Sequence, residues 1–164
     1  MAAHRLLLLR HAQAVDYSSG LRDQERPLTD HGIAQATAVG TALRAHGVKI
    51  DRVLCSTALR TRQTWNALGL DAEVDYQDAV YNAGSDAILE LIRLLDEGIG
   101  TAMIIGHGPG LPTLASQLAG PGSDQKSLDV INSRYPVATV SDYRIDGPWA
   151  DLQVGRLDWI RPGQ

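Results

Sequence analysis

Three short stretches carry side chains suited to binding or transferring an anionic group. Arg10 and His11 directly follow a run of four leucines at residues 6–9. A guanidinium offers a fork of donors to phosphate or carboxylate oxygens, and a neighbouring imidazole serves as ligand, base or nucleophile. Residues 56–64 read Ser-Thr-Ala-Leu-Arg-Thr-Arg-Gln-Thr, with hydroxyls at a helix start and Arg60 one turn inside it. The free N–H groups and dipole of such a helix end favour anions. Arg60 and Arg62 are two apart and cannot share a helix face, so only one of them reaches a common site. Gly106-His107-Gly108-Pro109-Gly110 forms the third stretch. Its glycines let backbone approach a ligand closely, and its proline stops strand pairing. Each stretch alone also describes an exposed strand end, a solvated basic helix or a tight turn. Together, two arginine-bearing and two histidine-bearing stretches point to one anion site.

These residues need a scaffold that delivers them to the same place. The leucine run reads as a strand buried on both faces. Residues 14–27 hold five charged residues, a Ser-Ser-Gly turn signal and no sustained period, which describes a loop able to lie over a site. Thr29 reads as an N-cap, with Ile33, Ala36, Gly40 and Leu43 at helical spacing until Gly47. Residues 52–55 form a second strand, followed by a helix capped by Ser56 or Thr57 and stopped by Gly69. Ser85 is expected to cap a helix carrying Ile88, Leu91, Ile92 and Leu95. Residues 101–105 form a β-branched strand, and a further helix starts near Leu111. The stretch 134–159 alternates as one or two strands, with residues 137–140 the clearest. Strands alternating with helices predict an α/β fold, a three-layer αβα sandwich around a mostly parallel central sheet. Sites in such folds lie beyond the carboxyl ends of strands. His11, Ser56 and His107 all fall there.

The 164 residues suit one domain spanning 1–164, without linker or repeat. Hydrophobic residues at 44% and charged residues at 21% match a soluble globular protein rather than a disordered one. A net charge of −4 at pH 7 argues against nucleic acid as partner and confines any basic pocket to a local feature. The single cysteine, Cys55, has no partner for a disulfide, and the apolar run near the start is too short for a signal or membrane segment. The expected location is the cytoplasm, with no membrane contact.

In the order RHA, SxxxRxxQT, GHGPG, the motifs resemble the histidine phosphatase, or phosphoglycerate-mutase-like, superfamily. Arg10-His11-Ala12-Gln13-Ala14, Arg26-Pro27-Leu28-Thr29 before Gly32, and Val80-Tyr81-Asn82-Ala83 resemble its SixA-like phosphohistidine phosphatase branch. The likeness covers residues 6–140. It implies that neutral His11 attacks phosphorus to form a phosphohistidine that water hydrolyses, with Arg10, Arg60 and His107 holding the phosphoryl oxygens and no metal or other cofactor. Arg26 becomes a substrate contact. The implied partner is a phosphohistidine-bearing protein or a small phosphoester. Two departures stand out. Ala12 replaces the signature glycine, which is tolerable where the backbone needs no positive φ. Asn82 stands where a glutamate acid is expected, leaving Asp78 as the nearest candidate proton donor. A phosphoramidate leaves readily once its ring nitrogen is protonated, so a dedicated acid is dispensable for that substrate. Alternatives are a small-molecule phosphomonoesterase of the same superfamily and a non-catalytic phospholigand-binding module. A mutase is disfavoured by the lack of room for a capping insertion.

Plainer roles suit the other notable side chains. His4, His31 and His46 read as surface residues, the three tryptophans as packing, and Cys55 as a small buried hydrophobe.

Overall fold

Four consecutive leucines in an extended chain send side chains to both faces of a sheet, so both faces must be covered. The computed structural model, which describes residues 3–164, places them in β1 (Ala3–Arg10). Leu6 and Leu8 enter one apolar cluster and Leu7 and Leu9 the other, all fully buried.

The remaining elements follow as α1 (Asp30–Ala45), β2 (Arg52–Ser56), α2 (Leu59–Leu68), β3 (Glu73–Gln77), α3 (Ser85–Arg93), β4 (Thr101–Gly106), α4 (Gly110–Leu118), α5 (Gln125–Ser133), β5 (Val140–Asp146) and β6 (Arg156–Arg161). The six strands form one sheet in the order β3-β2-β4-β1-β5-β6. The first four are mutually parallel; β5 runs antiparallel to β1, and β6 antiparallel to β5. Helices α1 and α2 cover the face of Leu7, Leu9 and Met103, while α3, α4 and α5 cover that of Leu6, Leu8 and Ile104. This is the expected three-layer αβα sandwich with a mostly parallel sheet.

Local chemistry sets the boundaries. The Thr29 hydroxyl accepts the Gly32 N–H at 3.0 Å, capping α1 as its sequence predicts. Helix α2 ends at Gly69, left-handed at φ 66°. The two helices approach so closely that a Cβ on Gly40 would stand 1.9 Å from the Leu68 carbonyl oxygen.

Several expectations need correction. Helix α2 follows Ala58 with no side-chain cap, because the Ser56 side chain is fully buried at the end of β2. Ser85 is the first residue of α3 rather than its cap, which is Gly84. In residues 137–140 only Val140 is in a strand. Ala138 is left-handed at φ 64°, and its N–H meets the carbonyl oxygens of both Arg10 and His11. His4 is buried, not exposed: its ring stacks on Trp149 at 4.4 Å and Nδ1 meets the Gly147 carbonyl. Strand β3 and helix α5 have no counterpart in the sequence reading. Among the described residues, no helix is long and apolar enough to cross a membrane.

Candidate active site

Because β4 lies between β1 and β2 in the sheet, the carboxyl ends of these three strands sit side by side. Arg10 pairs in register with Gly106, so the next residues, His11 and His107, emerge together. Their ring centroids are 5.3 Å apart. Ser56 ends β2, and Arg60 projects from the first turn of α2. A cavity of about 320 Å³ opens here, and Arg10, His11, Asp23, Arg26, Arg60 and His107 are among the residues lining it.

Hydrogen bonds assign the imidazole nitrogens. His11 Nδ1 donates to the Ala12 carbonyl at 2.7 Å, which leaves Nε2 with the lone pair. The Ser56 hydroxyl oxygen accepts the Ala58 N–H and lies 2.8 Å from His107 Nε2. Among the described residues His107 Nε2 is the only acceptor within reach of that hydroxyl, so donation to Nε2 satisfies its proton and leaves the ring hydrogen on Nδ1. His107 Nδ1, Arg10 Nε and Arg60 Nε are buried without a protein partner. The two guanidiniums are otherwise anchored, Arg10 Nη1 on the Tyr135 carbonyl at 2.9 Å and Arg60 Nη1 on the Asp23 carbonyl at 2.7 Å. A side chain on Gly108 would crowd Arg10, since its Cβ would lie 3.1 Å from Nη2.

Burial, then the positive charges of Arg60, Arg10 and Arg26, lowers the His11 pKa to about 4, against the favourable pull of its Ala12 hydrogen bond. Burial chiefly, with Arg60 next, lowers His107 to about 3. Both rings are therefore neutral at pH 7. Cys55 takes no part, as burial pushes its thiol up to about 12.

The structure thus brings Arg10, His11, Arg60 and His107 together. Arg26 also lines the cavity, but its hydrogen bonds go to its own loop, with Nη1 on the Val15 carbonyl and Nε and Nη2 on Asp23, and the exposed Tyr17 ring covers its face at 4.1 Å. Asp78 lies apart: it is exposed and accepts the Thr57 hydroxyl at 2.6 Å. Asn82, left-handed at φ 57°, stands between the main cavity and a neighbouring one of about 250 Å³ that reaches Ser85 and Thr113. Ala12 is not left-handed, and its N–H donates to Thr64 Oγ1, so the absence of the signature glycine imposes no backbone strain. Among the described residues, no group of three or more His, Cys, Asp or Glu side chains is placed to hold a metal ion.

Asp23 was not singled out by the sequence, although its carboxylate bonds Arg26, Arg60 and the Tyr81 hydroxyl. Its spacing of three from Arg26 was the available signal.

Residues 6–80 match the model of the histidine phosphatase superfamily, branch 1. An uncharacterized Mycobacterium tuberculosis protein is 36% identical over 148 residues, spanning 90% of this chain and 93% of its own. The phosphohistidine phosphatase SixA of Escherichia coli is 29% identical over 121 residues, covering 70% of this chain and 73% of that protein. A solved structure from Nakamurella multipartitia, provisionally described as a phosphohistidine phosphatase SixA, superposes with a TM-score of 0.87 at 35% identity, covering 99% and 98% of the two chains. With paired histidines and arginines at the same strand ends that its motifs anticipate, the chain belongs to the histidine phosphatase superfamily and to its SixA-like branch.

Proposed function

We propose that this phosphatase removes the phosphoryl group from phosphohistidine in proteins, through a phosphoenzyme formed on His11. The observation that carries the reading is the His11 hydrogen bond to the Ala12 carbonyl, which leaves Nε2 as a neutral nucleophilic nitrogen beside Arg10, Arg60 and His107.

In the first step the Nε2 lone pair attacks phosphorus in line, the Nε2–P bond forms, and the bond from phosphorus to the substrate imidazole breaks. That imidazole leaves neutral because its other ring nitrogen was already protonated. Arg10 and Arg60 stabilise the equatorial oxygens through their Nε sides, and His107 adds a donor from Nδ1. Water then attacks phosphorus, His11 recovers its lone pair, and inorganic phosphate leaves. The covalent route replaces one difficult displacement with two easier ones.

The choice of phosphoramidate over ester rests on the proton donor, since Asn82 lines the cavity in place of the glutamate that the resemblance leads one to expect. Asn82 cannot donate a carboxyl proton, Asp78 is turned to Thr57, and Asp23 is held as a carboxylate with its pKa lowered to about 2. Burial opposes that lowering, but the bonds from Tyr81, Arg26 and Arg60 outweigh it. An alkoxide needs a proton to leave, whereas a protonated phosphohistidine carries its own.

The test is phosphate release from a phosphohistidine-bearing protein and from an alkyl phosphate without added metal, comparing wild type, His11→Ala and Asn82→Glu. The wild type is expected to prefer phosphohistidine, and His11→Ala to lose at least about a thousandfold in kcat. Asn82→Glu is expected to improve the ester relative to phosphohistidine. Unchanged turnover in His11→Ala would overturn the nucleophile, and an ester preference in the wild type would overturn the substrate class. Tight phosphate binding without turnover of either substrate would identify a binding module.

A further inference from the structure

Arg60 is held in the cavity by a residue from a different part of the chain. A guanidinium offers two flat forks to an anion, one across its two terminal nitrogens and one along Nε and Nη2. In Arg60 the terminal fork is occupied by a single residue: Nη1 donates to the Asp23 carbonyl at 2.7 Å and Nη2 to Asp23 Oδ2 at 3.1 Å. Arg60 Nε is buried without a protein partner.

We infer that Asp23 is a positioning residue for phosphoryl binding, clasping Arg60 by its terminal fork so that the Nε side is presented to the substrate. The inference rests on the reading of the cavity as a phosphoryl site and names the residue that sets the alignment of one of its cations. Asp23 itself is held by three further hydrogen bonds from two residues. Arg26 donates to Oδ1 from Nε at 3.1 Å and Nη2 at 2.9 Å, and the Tyr81 hydroxyl donates to Oδ2. Arg26 in turn binds the Val15 carbonyl at 2.6 Å, closing the loop of residues 14–27 on itself. The loop thus acts as a buckle across the site, with Asp23 as its tongue.

A carboxylate among phosphate-binding arginines could instead be a competitor that the substrate expels. Two features oppose that. Half of the clasp is the Asp23 main-chain carbonyl, which a phosphate cannot displace by moving the side chain. The carboxylate is also fixed by Arg26 and Tyr81 at the same time, so it has no vacant position to retreat to without breaking the whole buckle. Its low pKa keeps it charged over the range in which His11 is neutral.

The experiment measures binding of tungstate by calorimetry to wild type, Asp23→Asn, Arg60→Ala and the double variant, with thermal unfolding to verify that each is folded. Asp23→Asn preserves shape, and Asp23→Glu serves as a second variant where it unfolds. Asp23→Asn is expected to weaken tungstate binding by about tenfold, and to add less than about twofold in the Arg60→Ala background, as for two residues acting as one unit. Tighter or unchanged binding in Asp23→Asn would overturn the inference, as would a full effect persisting without Arg60. Failure of the wild type to bind tungstate would overturn both this inference and the phosphoryl reading. If tungstate behaves as expected while no phosphorylated substrate is turned over, the clasp stands and the hydrolytic reading falls.

Discussion

At the scale of single residues, the site is governed by the protonation of two imidazoles that burial and the neighbouring guanidiniums hold neutral. An unfolded chain protonates His11 and His107 near the ordinary value of 6.5, while the folded pKa values are lowered to about 4 and about 3. Between these limits the unfolded state binds more protons, so stability falls as pH drops through 6.5 toward 4, and is unaffected by these two groups above that range. Denaturant midpoints measured across the window should decline in the wild type and decline less in a His11→Asn/His107→Asn variant. The His11 ring resonances, followed by NMR, should titrate below pH 5; titration near 6.5 would contradict the burial argument. That Arg10, His11 and His107 would meet was legible because each lies at or just beyond the carboxyl end of a strand, and that Arg60 would join them because it opens the helix after β2. Asp23 was not legible, since its significance lies in a contact with Arg60, 37 positions away, made by a loop with no period to read. Asp78 was chosen by its order along the chain, whereas the short turn it begins directs its carboxylate to Thr57.

Among elements, the tightest dependence lies between α1 and α2, which meet at Gly40 over the Leu68 carbonyl. Gly40→Ala places a methyl where backbone already stands, so it should destabilise the protein by about 1–3 kcal/mol or more through forced helix separation. Thermal unfolding would show the loss, and an unchanged melting temperature would mean that the helices can part freely. Because α2 carries Arg60, a wider gap is also expected to raise KM. The elements read correctly are those whose signal is local: the leucine run of β1, the β-branched β4, the capped and periodic α1. Strand β3 escaped notice because it is a half-exposed edge, Glu-Val-Asp-Tyr-Gln, whose strand character comes from pairing with β2 rather than from its composition. Its acidic side chains also guard the open edge against further pairing. The failure at residues 137–140 has a clear cause. Val137 and Thr139 have strand propensity, but the tertiary need to hold the carbonyls of Arg10 and His11 draws Ala138 into a left-handed turn.

For the molecule as a whole, the sheet order makes β1 central and assigns it neighbours from distant parts of the chain. Leu8 pairs with Ile104 on one side and with Ser141 on the other. A variant ending at residue 133 keeps Arg10, His11, Arg60 and His107 yet lacks β5 and β6, leaving Leu6 to Leu9 with an open apolar edge. It should show no cooperative unfolding transition by circular dichroism, and adding residues 134–164 as a separate peptide is the control for recovery. The loop of residues 14–27 was expected to lie over the site, and its contacts through Asp23 place it there. The αβα layering was likewise legible, because alternating strands and helices leave few ways to bury two apolar faces. The antiparallel closing of the sheet was not, since direction depends on connections that composition does not encode. The same topology has a consequence for the timing of biosynthesis. His11 leaves the ribosome well before β5, the strand that completes the bed of β1, and at ordinary translation rates roughly seven to twenty-seven seconds separate it from the end of that strand. During that interval the leucine strand β1 lacks its antiparallel partner, so its edge stays open to mispairing until β5 is made.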